Sequence, residues 1–213
     1  MVILRPTGLP SRSSREDYPA YHVPEEIASQ LRRIPWCTAI LNNPEWIPLY
    51  SHSRNPPDYL YGRYTFMNKT LSTPETVPIW QAFYRPSKSD NPADNDFGEV
   101  ICLIALGSAL DGHLHTAHGG VAAALLDEGM GTVGGIHKEP GKSQFTAYLH
   151  VNYRKPLPTP GMICIRAKID AEKSRGRKMF INATLESGDG VVYNDANGLF
   201  LETERTHLHK SKL

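Results

Sequence analysis

Residues 118–137 read HGGVAAALLDEGMGTVGGIH. From Gly119 to about His137 the run predicts a helix, yet Gly119, Gly120, Gly129, Gly131, Gly134 and Gly135, with Ala122, Ala123 and Ala124, leave small side chains on nearly every face. Each glycine costs about 1 kcal/mol against alanine inside a helix, so something outside the helix has to compensate. A sheet curling around one central helix would need such a slim profile, because large side chains would hold the strands away. The flanks agree. A strand is expected near Phe97 to Leu106, before the helix. After it come four apolar segments, Gln144 to Tyr153, Met162 to Ala171, Met179 to Ser187 and Val191 to Leu201, separated by turn signals such as Pro156-Leu157-Pro158 and Ser187-Gly188-Asp189-Gly190. One helix followed by a meander of strands is an α+β pattern.

Upstream the chain is less regular. Residues 1–22 mix Pro6, Pro10 and Pro19 with serines and arginines and read as a mobile arm. The acid-free start faintly resembles a mitochondrial presequence, but its prolines spoil an amphipathic helix. Pro24 to Ile34 predicts a short helix with Ile27, Leu31 and Ile34 on one face. Between Cys37 and Asp96 only Tyr59 to Met67 and Val77 to Tyr84 read as strands, and Arg85 to Asp96 reads as a loop. The expected organisation is an arm over 1–22, a helical and irregular extension over 23–58, the main domain over 59–205 and a tail over 206–213.

The 213 residues carry 23 Lys+Arg against 22 Asp+Glu, a balance that argues against an electrostatic nucleic-acid binder. Apolar runs such as Val121 to Leu126 fall short of the roughly 20 residues of a membrane span, and no signal-peptide core follows the start, which predicts a soluble chain. Cys37, Cys102 and Cys164 are widely spaced and odd in number, so a reducing compartment is expected rather than a disulfide framework.

Within the apolar helix the acids Asp127 and Glu128 stand out. Neighbours about 100° apart cannot both reach water easily from an enclosed helix, and desolvation makes a carboxylate a better base. The plainer reading is a carboxylate satisfied by backbone or a nearby hydroxyl. Ahead of the helix, His118-Gly119-Gly120 lets a ligand approach the backbone, where first-turn N–H groups could polarise a carbonyl oxygen. A tight loop-to-helix junction explains the same residues. His113, His115 and His118 invite a metal reading, but no carboxylate or cysteine is spaced to complete a set, so no metal is expected and His118 is read as anchoring the turn. Arg154 and Lys155, and Lys173, Arg175, Arg177 and Lys178 around Gly176, are either solvated surface or a phosphate-binding cluster.

The segment His118 to Asp127 resembles the HGG-x6-D signature of hotdog-fold acyl-CoA thioesterases. Thr146 to Pro158 and Gly176 to Phe180 are similar to segments of the thioesterase-superfamily-member branch, kin of the phenylacetate-pathway thioesterases, and the likeness runs from about Gly98 to Glu202. The resemblance implies a central helix wrapped by an antiparallel sheet, pairing into a homodimer or a dimer of dimers, and hydrolysis of acyl-CoA thioesters. It implies Asp127 as general base or nucleophile, Thr146 orienting the attacking water or intermediate, and the Gly119 and Gly120 backbone polarising the thioester carbonyl. It further implies Asn152, Arg154, Lys155, Arg177 and Lys178 at the coenzyme A moiety, which is part of the substrate, so no separate cofactor is expected. The longer, glycine-rich spacing between Asp127 and Thr146 departs from the pattern. Two rivals stay open: hydration of an enoyl-CoA, although Thr132 stands where an Asp-x4-His pairing needs histidine, and an acyl-CoA-binding module without turnover.

The last residues, Ser211-Lys212-Leu213, form the peroxisomal address read by the import receptor, which predicts a peroxisomal protein. A fluorescent fusion at the amino terminus is expected in peroxisomal puncta and dispersed once Ser211 to Leu213 is deleted. Cytosolic or mitochondrial signal from the intact tail counts against the address.

Overall fold

The computed structural model describes residues 21–55, 64–88 and 96–204. The arm up to residue 20, the stretch 59–63 and the terminal Ser211-Lys212-Leu213 lie outside the described residues. Helices α1 (Glu25–Leu31) and α2 (Pro35–Asn42) lead to the short strand β1 (Ile47–Leu49). Strands β2 (Ile79–Arg85) and β3 (Glu99–Leu106) follow, then a small hairpin of β4 (Asp111–His113) and β5 (Thr116–Ala117), the central helix α3 (Gly119–His137), and β6 (Lys142–Tyr153), β7 (Gly161–Ile169), β8 (Lys178–Glu186) and β9 (Val192–Glu204). The seven-stranded sheet has the order β1-β2-β3-β7-β8-β9-β6, with every pairing antiparallel. It wraps α3, which touches β3, β7, β8, β9 and β6, and this is the α+β hotdog architecture.

Strand alternation sorts the side chains. Trp80, Ala82 and Tyr84 of β2, Val100, Cys102 and Ile104 of β3, and Ile163 and Ile165 of β7 face α3 and pack on Leu125, Leu126, Met130 and Val133. The opposite face, with Ile79, Phe83, Ile101, Leu103 and Cys164, is covered by Leu31 and Cys37, with Ile27, Ile34, Trp36 and Ile40 packed around them. Strands β2 and β3 are thus buried on both faces, which is why β3 reads as an almost unbroken apolar run.

Two local expectations, both about strands, are corrected, and one helix is added within the helical extension. The strand expected over Tyr59 to Met67 is not formed where it is described: Phe66–Thr70 is a short helical turn. Residues 35–42 form α2, with Pro35 pre-set for the first turn rather than breaking a helix. Ile47–Leu49 is an edge strand despite Pro48, since an edge position spares it the missing N–H. No helix among the described residues is long and apolar enough to cross a membrane.

The glycines of α3 are not equivalent. A Cβ on Gly129 would stand 2.7 Å from Cγ2 of the fully buried Ile165, whereas one on Gly135 would meet nothing within 4 Å. Gly129→Ala is therefore expected to lower the denaturant midpoint despite the gain in helix propensity. Gly135→Ala should raise stability by about 1 kcal/mol. Equal gains from both would contradict the close approach at Gly129.

Candidate active site

The start of α3 is held by its own loop. His118 is the N-cap, and its Nδ1 accepts the Gly120 N–H at 3.0 Å, which places the ring proton of a neutral His118 on Nε2. Asp111 fixes the preceding hairpin: its carboxylate accepts the His115 N–H at 3.0 Å, with His115 in the left-handed region at φ 57°, and also the Thr159 hydroxyl. Gly119 lies beneath the Tyr153 ring, whose hydroxyl donates to the Gly119 carbonyl at 3.0 Å. The Gly120 N–H is thus already engaged. That of Gly119 has no partner among the described residues.

Two turns further along, Thr146 Oγ1 donates to Asp127 Oδ1 at 2.7 Å. Asp127 is half-buried and Thr146 exposed, so the pair sits on an open rim. A bulge places it there. Thr146 pairs with Phe200 and Tyr148 with Leu199, leaving Ala147 as the extra residue of β6. Before the bulge Gln144 and Thr146 face the helix; beyond it Leu149, Val151 and Tyr153 do. Plain alternation could not bring both sets inward.

Glu128 faces away from that rim and is largely buried. It accepts the Ser53 hydroxyl, and Arg54 beside Ser53 donates to the carbonyls of Met67, Leu71 and Val77 at 2.8, 2.7 and 2.6 Å. Burial pushes the Glu128 carboxyl up, the Ser53 bond opposes this, and the neighbouring Asp127 adds to the rise. Burial also brings the Arg54 guanidinium down to about 10. Ser53, Arg54 and Tyr153 escape the sequence reading, because nothing in their spacing signals contacts with α3 from such distant positions.

The basic residues fall into two groups. Asn152 Nδ2 donates to Asp195 Oδ2 at 2.8 Å, and Arg154 donates to the other oxygen of the same carboxylate, holding Asp195 below the usual carboxylate range. Lys155 follows, exposed. Arg177 and Lys178 lie toward the other end of the ladder, where the Arg177 carbonyl accepts the Glu202 N–H and Lys178 pairs with Leu201. Asp195 and Leu201 are six residues apart on one strand, about 20 Å, so one chain does not gather these cations at one point. Among the described residues no three His, Cys, Asp or Glu side chains gather as a metal set.

Residues 114–193 match the family model described as Thioesterase superfamily. The chain is 30% identical over 112 residues to acyl-coenzyme A thioesterase THEM4 of Bos taurus, covering 52% of this chain and 44% of that protein. It is 25% identical over 217 residues to acyl-coenzyme A thioesterase THEM5 of Mus musculus, covering 90% and 83%. A crystal structure of the thioesterase superfamily protein RHA08564 aligns with TM-score 0.45 and 25% identity over 56% of this chain and 55% of that one. The chain spans about half the length of several of the curated relatives it matches. The chain has the hotdog fold, and over residues 114–193 it is similar to the thioesterase superfamily, with acyl-CoA thioesterases among its relatives.

Inserting one alanine between Leu199 and Phe200 of β9 gives Ala147 a partner, restores plain alternation in β6 and turns either Gln144 and Thr146 or Leu149 and Val151 away from α3. The expected result is a loss of about 2 kcal/mol or more in urea unfolding, with Ala147→Ser close to the parent. An insertion variant of parental stability would contradict the role of the bulge.

Proposed function

We propose that the protein hydrolyses acyl-CoA thioesters to a carboxylic acid and coenzyme A, at a site shared between two copies of the chain. The observation that carries this reading is the Thr146–Asp127 hydrogen bond at an open rim. Thr146 occupies one carboxylate oxygen, which leaves the other to accept a proton from water as it attacks the thioester carbon. The C–S bond then breaks, coenzyme A leaves as thiolate and takes up a proton, and the acid remains. Asp127 attacking directly as a nucleophile uses the same geometry. The Gly119 N–H, at the positive end of α3, is the donor for the carbonyl oxygen, with His118 holding the turn through Gly120.

These two halves cannot meet within one chain. Gly120 and Asp127 are seven residues apart, about 10 Å along the helix axis, beyond the reach of an aspartate side chain. Strand β6 offers the means of joining them. It is an edge strand of 12 residues whose Phe145, Tyr148 and Tyr153 are 58%, 46% and 58% exposed. Such an edge is a template for another strand. Twofold antiparallel pairing of β6 with β6 of a second copy, centred between Leu149 and His150, sets Thr146 and Asp127 against the Gly119 turn of the other copy. The same pairing brings the Arg154 end of one chain toward the Arg177 and Lys178 end of the other, where phosphates of coenzyme A fit.

Thiol release from a panel of acyl-CoAs tests the reaction. Asp127→Ala is expected to lower kcat about 10²–10⁴-fold with the fold retained. Mixing Asp127→Ala subunits with subunits damaged at the Gly119/Gly120 turn should restore part of the activity, because one site of each mixed pair is intact. Enoyl-CoA hydration without thiol release, or binding without turnover, would favour the rival readings. A fully active monomer overturns the shared site.

A further inference from the structure

Glu128 is a largely buried carboxylate for which the hydrolytic reading has no use. An unpaired charge in a core costs several kcal/mol, and an apolar side chain of similar size would fill the same space, so packing does not account for a glutamate here. Its partner comes from far away in sequence: the Ser53 hydroxyl donates to Glu128 Oε1 across 75 residues. Ser53 is itself fixed, because Arg54 ties the segment to three backbone carbonyls, at Met67, Leu71 and Val77. Helix α3 is therefore gripped at consecutive residues from two directions, Thr146 on Asp127 and Ser53 on Glu128. The grip controls rotation. A side-chain terminus lies about 6 Å from the helix axis, so a roll of about 10° moves it by about 1 Å. A displacement of that size costs up to about 10²-fold in rate.

We propose that Glu128 is a positioning residue for Asp127, anchored by Ser53 and Arg54, so that segment 51–55 sets the rotation of α3 that aims the reacting carboxylate. The inference rests on the hydrolytic reading above. Burial, which raises the Glu128 carboxyl, is consistent with a group retained for its hydrogen bond.

The test is steady-state acyl-CoA hydrolysis by the full chain, with melting followed in parallel. Ser53→Ala and Glu128→Leu are expected to lower kcat about tenfold or more with KM little changed. Glu128→Gln, whose amide oxygen still accepts from Ser53, should recover most of that loss, as should Ser53→Thr relative to Ser53→Ala. If Glu128→Leu does not fold, the Ser53 pair decides. Parental kcat in folded Ser53→Ala overturns the inference, and so does a Glu128→Gln variant as slow as Glu128→Leu. No turnover by the unsubstituted chain overturns the hydrolytic reading and this inference with it. Turnover that depends on Asp127 but not on Ser53 overturns the inference alone.

Discussion

Helix α3 lies so close to the concave face of the sheet that one added methyl group at Gly129 would stand 2.7 Å from the Ile165 side chain. That contact sets the depth at which every residue of the helix sits. Leu125, Leu126, Met130 and Val133 are fully buried by it, and Asp127, between them in sequence, is left half-buried at the margin beside β6. A carboxylate at such a margin keeps one side toward solvent and offers the other to a protein hydrogen bond. Thr146 reaches it while Leu149 and Val151 also face the helix only because the Ala147 bulge resets the strand's alternation one residue beyond it.

The parts that follow one period along one segment were legible in the sequence. Gly119 to His137 reads as a helix and is one, and the strands on either side were found to within a few residues, because burial against a single partner imposes a regular pattern. The parts that depend on neighbours distant in sequence were not legible. Pro35 sits at a first helical turn and Pro48 on a sheet edge, and no periodic pattern around either proline announces α2 or β1. Arg154 and Arg177 look like one cluster in a list of cations, yet they are separated along the ladder, since strand order decides spacing in space. The acids Asp127 and Glu128 are conspicuous as a pair. Their different surroundings, Thr146 at an open rim and Ser53 at a partly buried contact, come from elements lying 19 residues after one and 75 before the other.

The segment before the central domain is bound to the sheet by the apolar character of the sheet's other face. Phe83, Ile101 and Leu103 are nearly inaccessible, and without α1 and α2 they would form an exposed patch on β2 and β3. Covering them takes the chain to the β1 edge of the sheet. From there residues 50–55 continue to the α3 side, where Arg54 is half-buried with carbonyl partners at hydrogen-bond distance. A guanidinium taken from water to that place is tolerable only with its donors engaged, so the same three bonds that satisfy Arg54 also hold Ser53 against the helix. Hydrophobic cover on one face thus fixes a polar contact on the other. The segment cannot peel from the convex side without withdrawing the hydroxyl that reaches Glu128.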